Sequence, residues 1–76
     1  MKFSIGDYVY FKSDYLEMYF QIINIDNVIV TVSSVLIIEI KTNLLTRDLT
    51  QIYLSTIKRY GKIISESEFT KMKIFI

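Results

Sequence analysis

A chain of 76 residues supports one small domain, and domains of this size bury only about 60% of their unfolded surface. It has no Cys and no His, which removes disulfides, thiolate chemistry, ordinary zinc sites and histidine acid/base catalysis together. Nine basic against eight acidic residues give a net charge of +1, which is not the footprint of a strong nucleic-acid binder.

In chain order, Met1 to Ile5 reads as an extended arm with Phe3 and Ile5 on one face. Gly6-Asp7 is a turn signal. Tyr8 to Phe11 reads as a strand, with Val9 and Phe11 on one face and Tyr8 and Tyr10 on the other. Lys12-Ser13-Asp14 ends it, and the stretch to Met18 is expected as an exposed loop carrying Tyr15 and Met18. Phe20 to Ile25 predicts a second strand and Val28 to Val32 a third. Asp26-Asn27 forms a two-residue turn between them, since both tolerate positive φ. The valine face of Val28, Val30 and Val32 is expected in the core. Ser33-Ser34 marks a break. Leu36, Ile38 and Ile40 then alternate with Ile37, Glu39 and Lys41 in a fourth strand with one face partly wet. Thr42-Asn43 closes it.

Beyond Asn43 two readings stand side by side. Asp48 can cap a helix with Gln51 as its capping-box partner, and Leu49, Ile52, Tyr53, Ile57 and Tyr60 recur at helical spacing. Lys58 and Arg59, then Gly61, are the matching stop signals. Thr50, Ser55, Thr56 and Ile57 oppose a helix, and the competing reading is a short helical turn from Asp48 to Tyr53 followed by a strand. Further on, Lys62 to Ile64 could pair with Met72 to Ile76 as a hairpin. Alternatively, Ser65 and Glu68 cap a short helix carrying Phe69 and Met72. The apolar end Lys73-Ile74-Phe75-Ile76 is expected to be docked rather than free.

The fold expected from this pattern is mainly β. Phe3-x-x-Gly6-Asp7-x-Val9-x-Phe11 resembles the first strand of SH3-like small barrels, a group that includes KOW and Tudor domains and small bacterial and phage barrels. Arg47-Asp48-Leu49-x-x-Ile52 resembles the short turn before the last barrel strand. The resemblance implies a barrel of about five strands with one short helix in the C-terminal third. It makes residues 1-76 a single domain with an extension from about residue 54. It also implies a binding module, since members bind RNA, DNA, peptides or proteins.

No constellation of catalytic groups is evident. Asp7, Asp14, Asp26 and Asp48 all fall at predicted breaks, where Asp is a turn or cap residue by default. The serines of Ser33-Ser34 and of the Ser65 stretch have no His or nearby Lys to activate them, and two glycines cannot build a phosphate-cradling loop. The chain therefore reads as a non-enzyme without cofactor or metal. Tyr8, Tyr10, Tyr15 and Tyr19, with Met18, form the candidate partner-binding set, since Tyr is a favoured interface anchor. The blander reading has the tyrosines stabilising cross-strand pairs. Lys58, Arg59, Tyr60, Lys62, Lys71 and Lys73 are the candidate nucleic-acid contacts. Glu66 and Glu68 are interleaved with them, which favours a solvated, charge-paired surface.

The apolar fraction of 51% exceeds what a small barrel interior can hide. The functional expectation is a non-catalytic protein-interaction module, an adaptor or an inhibitor of a host protein of the phage-encoded kind. Its partner would be a second copy, giving a homo-oligomer, or another protein. The alternative is a weak nucleic-acid-binding barrel. The longest apolar-rich stretch, Val28 to Ile40, contains Glu39 and falls short of the about 20 residues a membrane span needs. The start of the chain lacks the apolar core of a signal peptide, so the expected compartment is the cytoplasm.

Overall fold

The computed structural model of the chain describes residues 2–39, 45–46 and 51–73. Six strands form one antiparallel sheet: β1 (Tyr8–Lys12), β2 (Leu16–Asp26), β3 (Ile29–Glu39), β4 (Leu45–Thr46), β5 (Gln51–Tyr53) and β6 (Gly61–Ile64). Two short helices, α1 (Leu54–Tyr60) and α2 (Glu66–Lys73), flank β6 in sequence. The spatial order is β4-β3-β2-β1-β6, with β5 paired to the other end of β3. The mainly-β expectation holds.

The expected barrel is not closed. β5 and β6 would have to meet to close it, and α1 lies between them in the chain. Its Ile57 is fully buried in the core, and the helix packs on β5, β6 and β1. A helix side chain thus covers the opening that a strand pair would have sealed. Beyond residue 54 the chain adds β6 to the sheet, paired antiparallel with β1.

The opening turn is tied down at both ends. Gly6 sits at φ 97, in the region only glycine occupies freely. The Ser4 N–H donates to the Asp7 carboxylate at 2.8 Å, and the Gly6 N–H donates to the Ile22 carbonyl at 2.7 Å. The Ile22 N–H returns to the Asp7 carbonyl at 2.9 Å, which locks the turn onto β2.

β2 and β3 are longer than their sequence pattern suggested. Of the stretch expected as an exposed loop, Asp14 and Tyr15 do lie in an exposed turn, but β2 starts at Leu16 and Met18 is only 4% exposed. The hairpin turn is shifted by one residue. Asp26 pairs with Ile29, so the loop is Asn27-Val28, with Asn27 at φ 58. Val28 therefore leaves the expected valine face, while Val30 and Val32 keep to the core.

Ser33-Ser34 does not break a strand; it is part of a bulge. Gln21 pairs with Ser33 and Tyr19 with Leu36, so two steps along β2 match three along β3. A second irregularity places Ile22 opposite Val32 but Asn24 opposite Thr31, leaving Ile23 over. Each extra residue reverses which parity faces inward. On β2 the inward set runs Met18, Phe20, Ile22 and then Ile25, with Ile23 turned out. On β3 it runs Val30, Val32 and then Ile37. Leu36, expected on the core-facing side of its strand, instead shares the opposite face with Tyr19.

The inner face is the main core. Phe3, Val9, Phe11, Met18, Phe20, Ile22, Val30, Val32, Ile37, Ile52 and Ile57 form one buried cluster, with Leu16, Ile25 and Leu54 at its margin. Gly61 explains itself here. It ends α1 in extended backbone, φ −90 and ψ 152, rather than the left-handed cap its position suggested. A Cβ at Gly61 would meet the Ile57 carbonyl oxygen at 2.6 Å and the Val9 side chain at 3.1 Å. Glycine is needed for close approach of helix and sheet, not for positive φ.

After Asn43 neither reading holds as drawn: the helix is formed only in its second half, and the strand precedes it instead of following a helical turn. Gln51 to Tyr53 is strand, and the helix begins only at Leu54. The Asp48 cap and the Arg47-Asp48-Leu49 turn lie outside the described residues. Of the two C-terminal readings, the helix is the one formed. The Glu68 N–H donates to Ser65 Oγ at 3.1 Å, and that hydroxyl donates to the Glu68 carboxylate at 3.5 Å. This is a local variant of the predicted capping box. The end at Ile74 to Ile76 lies outside the described residues.

Candidate interaction surfaces

The outer face of the sheet carries part of each candidate set and divides into two regions. The first lies over β1, β2 and β6. Strand alternation points Tyr8, Tyr10, Tyr19, Lys62 and Ile64 outward, since Tyr10 pairs with Tyr19 on one side and Lys62 on the other. α2 packs over this region. Its Phe69 is 3% exposed, with its ring centroid 4.7 Å from that of Tyr8. Tyr10 and Tyr19 contact each other at 4.9 Å with their planes 37° apart. Such tilted aromatic pairs contribute about 0.5–1.5 kcal/mol beyond area burial. Three of the five residues in the candidate partner-binding set thus already serve as an outer platform for α2.

Next to the platform lies a groove of about 370 Å³, lined by Tyr10, Tyr19, Lys62, Ile64, Glu68, Lys71 and Met72. Burial, reinforced by the negative charge of Glu17, pushes the Tyr10 phenol up to about 12. The Tyr19 phenol is raised as well, mainly by burial and then by Glu17 and Glu68. Both hydroxyls are therefore neutral donors at ordinary pH and cannot act as phenolate nucleophiles.

The remaining candidates scatter. Tyr15 is 74% exposed at the β1–β2 turn, away from the other tyrosines in the ladder. Met18 belongs to the inner core, so the expectation that a partner meets it on a loop is corrected. The basic set splits in two. Lys58, Arg59 and Tyr60 occupy the last turn of α1, where the Tyr60 ring rests 5.5 Å from Phe11 and the Arg59 guanidinium 5.4 Å from the Tyr60 ring. Lys62 and Lys71 face the groove instead. Lys73 closes α2, and its side chain lies outside the described ones.

The second region lies over β3 and β5, beyond α2. Ile29 pairs with Tyr53, and the Leu54 N–H donates to the Val28 carbonyl at 2.8 Å, which holds the hairpin tip against β5. Val28, Ile29 and Tyr53 are 55%, 37% and 64% exposed. They border a concavity of about 380 Å³ lined by Ile29, Gln51, Ile52, Tyr53 and Thr56. Sequence reasoning missed this corner. Tyr53 looked like part of a helical stripe, and Val28 like a core valine. The signal that could have found it is the Asp26-Asn27-Val28 tip, where a one-residue shift of the turn puts Val28 outside.

Among the described residues no three acidic side chains gather in the manner of a metal site, and no helix is long and apolar enough to cross a membrane. The comparisons with known proteins add no relative: no family model, no curated protein and no solved structure matches this chain.

Proposed function

We propose that this chain is a non-catalytic protein-interaction module that docks through the apolar corner Val28–Ile29–Tyr53, with a second copy of itself as the partner. One observation carries the reading. Three large apolar side chains lie adjacent and exposed on an otherwise polar margin, where Asp26, Asn27 and Gln51 are also exposed. An apolar centre with a polar rim is the usual anatomy of an interface. Tyr is suited to anchor it, offering large contact area at low entropic cost.

The charge balance permits this partner. At a net +1 two copies do not repel each other appreciably. A stable interface needs roughly 800 Å² from each partner, more than three side chains supply, so the association is weak and depends on concentration. The test is photo-crosslinking of the purified chain at high concentration, with the reactive group at position 53 or, as a control, at position 66 on α2. A discrete two-chain adduct from position 53 alone is expected. No adduct from position 53, with sedimentation as a 9.0 kDa monomer, would overturn the reading.

A further inference from the structure

The groove beside the tyrosine platform is lined by two lysines that form no ion pair among the described residues. Lys62 reaches it from β6 and Lys71 from α2, and both are exposed at the rim. Among the described residues the only ion pair is Lys12 with Glu17, at 4.0 Å, so neither groove lysine has an adjacent carboxylate partner. Glu68 also lines the groove and keeps its negative charge there, accepting from the Ser65 hydroxyl at 3.5 Å, so the lining carries two positive charges against one negative. The rest of the lining is mainly apolar, with Ile64, Met72, Tyr10 and Tyr19. Small-ligand sites are typically concave, of roughly 300–1,000 Å³, apolar in the main and set with a few convergent polar groups. This groove, at about 370 Å³, is of that kind.

We infer that the groove binds a phosphorylated aromatic ligand of the nucleoside monophosphate class, its phosphate held between Lys62 and Lys71 and its ring laid against Tyr10, Tyr19 and Met72. Charge selects the phosphate. Two ammonium groups match a dianion, and beside Glu68 a monocarboxylate would satisfy only one of them. Lysine binds phosphate as a point charge and tolerates imperfect geometry. The rings select a flat body, because stacking a base on an aromatic side chain contributes about 1–3 kcal/mol regardless of base identity. The same chemistry occurs in a free nucleotide and at the phosphorylated end of a single strand.

The test is titration of the isotope-labelled chain with adenosine monophosphate, followed by amide shifts. Saturable shifts are expected in β1, β2, β6 and α2. The Lys62→Gln/Lys71→Gln variant should lose about tenfold or more in affinity, equivalent to at least about 1.4 kcal/mol, whereas Lys58→Gln/Arg59→Gln should not. All four positions are exposed, so folding should be intact in both variants, which the unperturbed core amides would verify. Adenosine and inorganic phosphate should each bind about tenfold more weakly than the monophosphate. A 5′-phosphorylated oligonucleotide binding more tightly than the monophosphate upholds the site and assigns it to strand ends. Equal binding upholds it as a free-nucleotide site. No saturable shift at millimolar ligand, equal binding by the Lys62→Gln/Lys71→Gln variant, or inorganic phosphate reproducing the full effect would overturn the inference.

Discussion

The two regions of the outer sheet face began with the same problem and solved it differently. Over β1, β2 and β6, the chain returns as α2 and lays Phe69 on Tyr8, so most of the apolar surface there is covered from within. Over β3 and β5 nothing among the described residues returns, and Val28, Ile29 and Tyr53 stay in water. An apolar excess is therefore not one property of this chain. One part becomes a second, shallow core on the reverse of the sheet, and the other is left as a surface. Exposure, and not composition, separates side chains that stabilise the fold from those free to bind.

That contrast can be tested by removing side chains from each region in turn. The largest effect belongs to neither, but to the inner core beneath both. Ile22 is fully buried at the point where β2 changes its facing parity. Ile22→Ala should cost about 2–5 kcal/mol, enough to unfold much of so small a domain at room temperature. Denaturant titration followed by circular dichroism measures it.

Phe69→Ala comes next. The residue is as buried as a core phenylalanine, but it anchors only an eight-residue helix. The loss should be about 2 kcal/mol, smaller than for a central core site because α2 can detach while the sheet stays paired. Hydrogen exchange should speed up for α2 amides and leave those of β1 to β3 protected. Equal loss of protection throughout would mean that α2 and the sheet form one cooperative unit.

Ser65→Ala sharpens the same point at lower cost. It removes the hydroxyl that caps the Glu68 N–H, for about 1 kcal/mol, and should fray α2 without touching the corner at Tyr53. The smallest effect is a pH dependence. The Tyr10 phenol is raised in the folded state to about 12 from an ordinary value near 10. Between these values the folded chain holds the proton that the unfolded chain has lost. Stability contributed by this group is therefore complete below pH 10 and declines as pH rises toward 12. Tyrosine absorbance should show a late-titrating phenol, and Tyr10→Phe should remove it and flatten that part of the stability profile.

Much of the fold was legible because β patterning is local. Val9 and Phe11 against Tyr8 and Tyr10, the Gly6-Asp7 turn, and the Ser65–Glu68 cap all follow from chemistry within a few residues. What was not legible depended on register. The bulges at Ile23 and Ser33-Ser34 exchange inside for outside midway along two strands, and period-2 reading cannot see them. They moved Leu36 to the reverse face, while Met18 became core because β2 begins at Leu16, before the predicted strand start. The helix start was misplaced for a related reason. Ile52 and Ile57 fit helical spacing, yet both reach the core, one from a strand and one from a helix. The groove was half legible. Tyr10, Tyr19, Lys62 and Lys71 were all singled out, but as two rival sets, and only the β1–β6 pairing and the return of α2 bring them together.

The most direct test of the whole account is the denaturation midpoint of Tyr53→Ser. If the corner is surface kept for docking, the substitution should cost less than about 1 kcal/mol, the scale of strand propensity and exposed positions, and should abolish two-chain association. A loss of about 3 kcal/mol or more, as for a buried aromatic, would show that Tyr53 holds the fold together and would remove the interaction surface from the account.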